Sequence, residues 1–221
     1  MCDSPEIDII HPGVVPYATA LGLQRERRLA IECGTLSEAL FLLEHPPVFT
    51  LGRNASESHL LHSRDSLAKL GVDVVETDRG GDVTYHGPGQ LVAYPILHLE
   101  RRGLAIRQYL RLLEQAIIGT LADFDIAGGR MEGFTGVWVK GAKVAAVGIA
   151  VHRGVSYHGI AINVRPSMDH WHMIVPCGIP DKPVTSIAEI LGRAPAMREV
   201  EDAFSRALLS VLRETAQSVV Q

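Results

Sequence analysis

The chain has 221 residues, of which 47% are hydrophobic and 21% charged, and its formal net charge is −4. Such a chain can bury a substantial core, and its acidic balance excludes a nucleic-acid-binding protein that relies on a dominant basic surface. Its three cysteines, at positions 2, 33 and 177, are odd in number and far apart, so they predict neither a disulfide framework nor a Cys-x-x-Cys metal site.

The N-terminal stretch does not have the pattern of a secretory signal. Residues 1–10 include Asp3, Glu6 and Asp8 and have no basic region before an apolar core, and no apolar run approaches the length of a bilayer crossing. We therefore expect a cytoplasmic protein that binds no membrane and folds as a single domain over residues 1–221.

Turn residues and hydrophobic periodicity predict short elements in the first part of the chain. We expect a strand within residues 7–17, a helix over 18–31, a buried strand over 48–52, a short helix over 64–70 and a strand over 72–77. Residues 91–99 predict a further strand. Pro95 within it indicates an edge position or a bulge, because proline has no N–H to donate to a neighbouring strand.

Helical patterns dominate the stretches on either side of a predicted hairpin. Residues 105–124 carry a core-facing apolar stripe, Ser186-x-x-Glu189 is a capping-box pattern, and residues 200–212 form an amphipathic helix. The first of these helices begins among four arginines, which indicate either a solvated face or a docking surface for an acidic partner. They are Arg101, Arg102, Arg107 and Arg111.

Residues 143–164 give the clearest β-hairpin signal, with two strands around an Arg153-Gly154 turn. A two-residue turn fixes the pairing of tiny side chains on one face. The expected pairs are Gly148 with Gly159 and Ala146 with Ala161. Because these side chains pack poorly, we expect an extended acyl chain, another backbone or a close-packed helix to lie against them.

Residues 79–90 read R-G-G-D-V-T-Y-H-G-P-G-Q and predict a binding loop. Gly80 and Gly81 allow a close approach to the main chain, and the Gly-Pro-Gly turn directs the chain into the next strand. Tyr85 and His86 are expected on opposite faces of a short β-segment. A glycine-rich hairpin that contains a structural histidine is the alternative.

A loop cysteine and a strand lysine are candidates for chemistry. Cys177 lies between Pro176 and Gly178, where its thiol can face a ligand, and an efficient thiol nucleophile needs a basic neighbour. Lys143, His86 and His158 are the candidate partners. Strict alternation puts Lys143 on the face opposite Gly148, so its side chain reaches the same groove only from a bulge or a strand end.

A zinc site is an alternative role for the same cysteine. His170 and His172 are two residues apart, which would place them on one face of an extended segment, and Cys177 would complete a set of ligand types that zinc accepts. The second closely spaced ligand pair of most zinc sites is missing, so surface histidines flanking Trp171 are the competing interpretation.

Three blocks of this sequence resemble the lipoyl(octanoyl) transferases. They are residues 79–90, the hairpin segments Lys143-Val144 to Gly148 and His158 to Asn163, and Pro176-Cys177-Gly178; together they lie within about residues 45–190. The resemblance implies an α/β fold of the biotin/lipoate protein ligase type, a single catalytic domain of mixed β-sheets flanked by helices.

The resemblance also implies an acyltransferase that moves an octanoyl group from acyl carrier protein to a lysine of a lipoyl domain, the first step of protein lipoylation. The implied acceptors are the lipoyl domains of 2-oxoacid dehydrogenase complexes and the glycine cleavage H protein, and neither a cofactor nor a metal is needed. The four arginines would then be candidates for docking the acidic carrier protein.

By the same resemblance, Cys177 is the acyl-thioester nucleophile and Lys143 is the residue that activates it. The implied substrate-binding residues are Arg79, Gly80, Gly81, Asp82, Val83, Thr84, Tyr85, His86, Ala146, Val147, Gly148, Gly159, Ile160 and Ala161. His86 and His158 either orient a loop or transfer protons. Two further functions remain open: an ATP-dependent lipoate or biotin-type ligase, which would not need Cys177, and a non-catalytic acyl-binding protein.

Overall fold

The structure, a computed structural model, describes residues 6–175 and 182–218. In them the chain forms two β-sheets packed against helices, which is the mixed α/β architecture expected from the sequence. None of the helices among these residues is long and apolar enough to cross a bilayer. Cys2 and Cys177 lie outside the described residues.

Within residues 6–175 and 182–218, ten strands form the two sheets. In chain order they are β1 (Ile7–Val14), β2 (Glu38–Glu44), β3 (Val48–Leu51), β4 (Asp73–Glu76), β5 (Val83–His86), β6 (Gln90–Ile96), β7 (Gly129–Met131), β8 (Phe134–Val139), β9 (Ala142–His152) and β10 (Val155–Asn163). The larger sheet has the order β1-β2-β6-β10-β9-β8-β7, and the smaller has the order β4-β3-β5.

Five α-helices and two short 3₁₀ helices connect and cover the described strands. The α-helices are α1 (Tyr17–Glu32), α2 (Arg64–Lys69), α3 (Ile106–Ala122), α4 (Ile187–Leu191) and α5 (Met197–Ser218), and the 3₁₀ helices span Glu57–His59 and Asp169–Met173. The capping box predicted for α4 is confirmed, because the Ser186 hydroxyl accepts from the Glu189 N–H and the Glu189 carboxylate accepts from the Ser186 N–H.

The apolar stripes of the helices account for how the large sheet is covered. Leu113, Ile117 and Leu121 of α3 and Phe204 of α5 are buried in one cluster with strands of this sheet, as their 3.6-residue spacing predicted. Ile106, at the start of the stripe, is 54% exposed, so it lies outside this core. Helix α1 covers the other face, where it packs on β10 and β6.

The predicted hairpin register is confirmed. Gly148 pairs with Gly159 and Ala146 with Ala161 in the β9–β10 ladder. The expectation that Pro95 marks a sheet edge is wrong, because β6 lies between β2 and β10. Pro95 is tolerated in this interior strand because regular pairing with β10 stops at Ala93. His158 lies opposite Pro95, and it donates its N–H to the Gln24 side chain at 2.8 Å instead of to β6.

The arginines before and within α3 do not form one free surface. Arg102 is buried and forms a two-pronged ion pair with the buried carboxylate of Glu38, in which its Nε lies 2.8 Å from Oε2 and its Nη2 contacts the same oxygen. Arg111 pairs with the buried Glu114 at 2.7 Å. The prediction that all four arginines form one docking surface is therefore wrong for Arg102, because its guanidinium faces the interior.

Removing this ion pair tests its structural role. Arg102→Leu leaves the Glu38 carboxylate buried without its cation, so the free energy of unfolding should fall by about 3–5 kcal/mol in urea denaturation. The matched change Arg107→Leu, at an exposed arginine in the helix α3 that follows, should alter it by less than about 0.5 kcal/mol. Equal stability of the two variants would contradict the assignment.

Candidate active site

One cavity of about 220 Å³ lies between the β9–β10 hairpin and the chain that leads into β5. Its described lining contains Tyr17, Arg79, Gly80, Gly81, Asp82, Thr84, His86, Tyr94, Gly133, Phe134, Thr135, Lys143, Ala146, Val147, Gly148, His158, Gly159, Ile160 and Ala161. Most of the candidate substrate-binding residues thus meet around one space, although they come from three separate stretches of the chain.

Two glycines keep the floor of this cavity flat. A Cβ on Gly159 would overlap the carbonyl oxygen of Ala93 on β6, and a Cβ on Gly148 would lie 3.0 Å from the carbonyl oxygen of Gly80. Gly159 therefore has no room for a Cβ, and Gly148 has little, because another backbone passes close by each. The sequence left three possible neighbours for these glycines: an acyl chain, another backbone or a helix. In the structure another backbone contacts both glycines, and the cavity lies beside it.

The side chain of Arg79 fixes the 79–82 loop to strand β3. Arg79 is buried, and its Nε and Nη2 donate to the Thr50 hydroxyl at 3.2 and 2.8 Å while its Nη1 donates to the Gly80 carbonyl at 3.1 Å. The Gly80 N–H donates to the Ile149 carbonyl at 2.9 Å, which ties the loop to β9. This N–H is therefore engaged and is not an oxyanion donor in this conformation.

Lys143 reaches the cavity because β9 contains a bulge. The β8–β9 register shifts between the pairs Val137–Ala145 and Trp138–Lys143, so one extra residue lies in β9. The shift brings Lys143 into the cavity lining despite strict alternation, as the sequence required. The lysine is 8% exposed, and its ammonium lies 5.0 Å from the centre of the Trp138 ring, within the range of a cation–π contact.

The inner end of the cavity is built from aromatic rings that share hydrogen bonds. His45 Nδ1 lies 2.6 Å from the Val15 carbonyl, which can only accept, so Nδ1 carries the proton and Nε2 accepts from the Tyr94 hydroxyl at 2.7 Å. Burial lowers the pKa of His45 to about 4, so this imidazole is neutral at pH 7.

The same reasoning fixes the state of His86. Gln90 donates its amide to the Tyr85 carbonyl and to Asn163, so its oxygen accepts from His86 Nδ1 at 2.7 Å. Burial, and next the neighbouring His45, hold the pKa of His86 well below its usual value. This hydrogen bond to Gln90 is the kind of contact that the loop-orienting alternative for His86 requires.

His158 is held by three neighbours. Its N–H donates to Gln24, its Nε2 donates to Asp78 at 2.8 Å, and its Nδ1 lies 3.4 Å from the Tyr17 hydroxyl. Burial lowers the pKa of His158, while the Asp78 carboxylate opposes that effect. The φ of +57° at His158 is unusual for a residue other than glycine, and these contacts are what hold it.

Three candidate residues are not among the cavity-lining set. Val83 and Tyr85 are buried in the apolar cluster beneath the smaller sheet, because their side chains point to the face of β5 opposite Thr84 and His86. Cys177 lies outside the described residues. The sequence did not single out Tyr17, Tyr94 or the Gly133 to Thr135 stretch, since none of them belongs to a local motif.

The geometry assumed for a zinc site is wrong for the two histidines. His170 and His172 lie in the 3₁₀ helix Asp169–Met173, where residues two apart do not share a face. His170 instead stacks on Tyr85, with 4.7 Å between ring centres. In the part of the chain that the structure describes, no group of three or more His, Cys, Asp or Glu side chains could hold a metal ion.

The mixed α/β fold thus carries a groove with glycines in its floor and a buried lysine beside it. The chain matches the family described as "Lipoyl protein ligase A/B catalytic domain" over residues 16–209. It belongs to this family, as its similarity to curated relatives also shows.

The relatives named octanoyltransferase match nearly the whole chain. That of Chloroflexus aggregans is 45% identical over 208 residues, which are 93% of this chain and 94% of the relative. That of Nitratidesulfovibrio vulgaris is 42% identical over 216 residues, which are 97% and 99%.

Solved structures share the fold at lower sequence identity. A lipoate-protein ligase A bound with ATP has a TM-score of 0.75 at 16% identity, and the match covers 96% of this chain and 92% of that chain. A bi-partite lipoate protein ligase from Thermoplasma acidophilum has a TM-score of 0.71 at 16% identity, covering 97% and 90%. The fold of the ligase type is therefore confirmed.

Gly52→Ala should disturb the 79–82 loop. A Cβ on Gly52 would overlap the Gly81 carbonyl and lie 2.7 Å from the Arg79 guanidinium, so we expect a loss of about 1–3 kcal/mol in the free energy of unfolding. Gly22→Ala is the control, because nothing lies within 4 Å of its Cβ and alanine in helix α1 should stabilise the protein by about 1 kcal/mol. A stable Gly52→Ala protein would contradict the tight loop packing.

Buried neutral His45 should make the folded state sensitive to acid. Below pH 6.5 the unfolded chain takes up a proton that folded His45, with its pKa of about 4, does not, so stability falls between about pH 6.5 and 4. The contribution is about 3 kcal/mol. Urea denaturation at pH 7 and pH 4 should show a smaller pH dependence for His45→Asn than for the wild type; the same dependence in both proteins would contradict this assignment.

Proposed function

We propose that this protein transfers an octanoyl group from acyl carrier protein to a specific lysine of a lipoyl domain through an acyl-thioester on Cys177. The observation that carries the proposal is the groove itself, with a flat floor of glycine and alanine along the hairpin and a buried lysine at one side. Membership of the ligase family and the relatives named octanoyltransferase support it.

The groove suits an extended acyl chain. Gly148, Gly159, Ala146 and Ala161 form paired floor positions. An apolar chain laid on this floor removes hydrocarbon from water, which stabilises it by about 0.8 kcal/mol for each CH₂ group. The family resemblance assigns substrate-binding roles to these residues and to the 79–86 stretch. For Val83 and Tyr85, whose side chains lie on the buried face of β5, we propose that they support the loop instead.

In the first half of the reaction, Lys143 takes the proton of the Cys177 thiol, and the thiolate attacks the thioester carbonyl of the donor. A bond forms between sulfur and the acyl carbon, the bond to the carrier sulfur breaks, and the carrier leaves as a thiol with the proton from Lys143. In the second half, the target lysine amine attacks the acyl-enzyme and gives up a proton, an amide forms, and Cys177 regains its thiol.

The connection between Lys143 and the chain beyond Cys177 supports this pairing. The Lys143 N–H donates to the Pro183 carbonyl at 2.8 Å, and its carbonyl accepts from the Thr185 N–H at 3.0 Å. The segment that contains Cys177 therefore leads directly into residues bonded to Lys143. Because an amide is more stable than a thioester, the transfer needs neither ATP nor a metal.

The proposed partners follow from this chemistry. The donor is octanoyl-acyl carrier protein, and the acceptors are lipoyl domains of 2-oxoacid dehydrogenase complexes and the glycine cleavage H protein. The structural work on the Thermoplasma acidophilum ligase describes that ligase and its E2 lipoyl domain. We also propose that residues 1–221 act as one catalytic domain in the cytoplasm.

An ATP-dependent ligase is the second candidate, since the fold is shared with a lipoate-protein ligase A that binds ATP. Such a ligase would activate the free acid as an adenylate and would not need Cys177. A non-catalytic acyl-binding protein would retain the groove but would give no covalent adduct.

Intact-protein mass spectrometry with octanoyl-acyl carrier protein, without ATP, tests the proposal. The wild type should gain one octanoyl group that hydroxylamine removes, and Cys177→Ser should gain none. Lys143→Met should form the adduct at least about 100-fold more slowly, which is the lower range for loss of a general base. Absence of an adduct on folded wild-type protein, with transfer restored by ATP and free octanoate, would favour the ligase.

A further inference from the structure

The residues that line the cavity differ in exposure. Gly133 and Thr135 are exposed and Asp82 is half-buried, so solvent reaches the cavity beside them. The four rings of the lining, Tyr17, His86, Tyr94 and His158, are each at most 7% exposed, and we call this buried side the closed end. A chain that enters past the exposed residues therefore runs toward a wall of four rings.

The rings of this end wall contact each other. Tyr17 stacks nearly parallel to His86, with 6.2 Å between ring centres and 12° between planes, and lies 5.3 Å from the ring of His45. His45 in turn lies 5.9 Å from Tyr94 and 5.7 Å from His86. His45 therefore buttresses the wall from behind.

Hydrogen bonds turn the donors of the wall away from the cavity. The Tyr94 hydroxyl donates to His45, and His86 Nδ1 donates to Gln90. Because His158 Nε2 donates to Asp78, its Nδ1 accepts from the Tyr17 hydroxyl. The surface left for a bound molecule consists of ring carbon and acceptor atoms, which suits an apolar chain end and disfavours a carboxylate.

Tyr17 differs from the other wall residues in the element that carries it. His86, Tyr94 and His158 lie on β5, β6 and β10 and are fixed by the sheets, whereas Tyr17 is the first residue of α1. Its hydroxyl contact of 3.4 Å with His158 is also the longest of these bonds. Truncating Tyr17 therefore opens the closed end without removing a strand residue.

We propose that Tyr17 sets the upper limit of acyl-chain length by forming the end wall of the groove. The inference rests on the proposed octanoyl transfer and deepens it. The floor from Ala161 to His158 spans three residue steps, which is roughly 10 Å at the rise of an extended strand. An extended octanoyl chain that starts beside Ala161 has about this length, so its last carbon lies against the Tyr17 ring. A longer chain in the same position would collide with that ring.

A competition assay tests the proposal with equal amounts of octanoyl- and decanoyl-acyl carrier protein and a lipoyl domain as acceptor. Mass spectrometry of the acceptor gives the ratio of the two products. For Tyr17→Ala, the decanoyl-to-octanoyl ratio should rise about tenfold or more, within the range seen when a pocket gains room for added methylenes. Tyr17→Trp should shift preference toward hexanoyl over octanoyl carrier protein.

Two further variants serve as controls. Tyr17→Phe keeps the ring and should keep the wild-type product ratio, which separates the steric role from the hydroxyl contact with His158. Leu29→Ala, at a 51% exposed residue of the same helix, should leave both rate and ratio unchanged. If Tyr17→Ala does not fold by circular dichroism, Tyr17→Leu replaces it with the same expected direction.

The outcomes separate the two proposals. An unchanged ratio in folded Tyr17→Ala or Tyr17→Leu, from an enzyme that still transfers octanoyl groups, would overturn the role of Tyr17 and leave octanoyl transfer intact. No transfer by the wild type from either donor would instead contradict the proposed function. A raised ratio in Tyr17→Phe equal to that in Tyr17→Ala would also overturn the steric assignment.

Discussion

Close contact between backbones at Gly148 and Gly159 is the constraint on which the rest of the site depends. Strand β6 passes Gly159 so closely that a Cβ would overlap the Ala93 carbonyl, and the 79–82 loop crosses Gly148 on the neighbouring strand. The two contacts bring β6, β10, β9 and the loop within van der Waals distance. Side chains of ordinary size at either position would separate these segments and remove the flat floor of the cavity.

The close passage of β6 beside β10 also accounts for the unusual backbone around His158. With Pro95 opposite, no N–H is available there from β6, and a regular ladder would leave a polar group unpaired. His158 adopts a φ of +57° and directs its N–H to Gln24 on α1. One consequence is that helix α1 is fixed to the hairpin at the point where Tyr17 closes the cavity.

Three buried histidines are held by hydrogen bonds at the inner end of the cavity. His45, His86 and His158 all have a lowered pKa, in each case chiefly because burial disfavours the charged ring. Each ring places one nitrogen against a carbonyl, amide or carboxylate oxygen. In the described part of the chain, Arg79 and Lys143 are the arginine and the lysine of the cavity lining, and Lys143 lies on β9.

The sequence by itself determined the family, the hairpin register and most of the cavity lining, because glycine spacing and strand alternation are local properties of a chain. Gly148 opposite Gly159 required only a two-residue turn. Tertiary structure decided what local pattern could not: the interior position of Pro95, which depends on Gln24, and the burial of Arg102, which depends on Glu38. It also decided that Tyr17, about 140 positions from His158 in the chain, forms the end of the groove, because only the packing of α1 against the sheets brings distant side chains together.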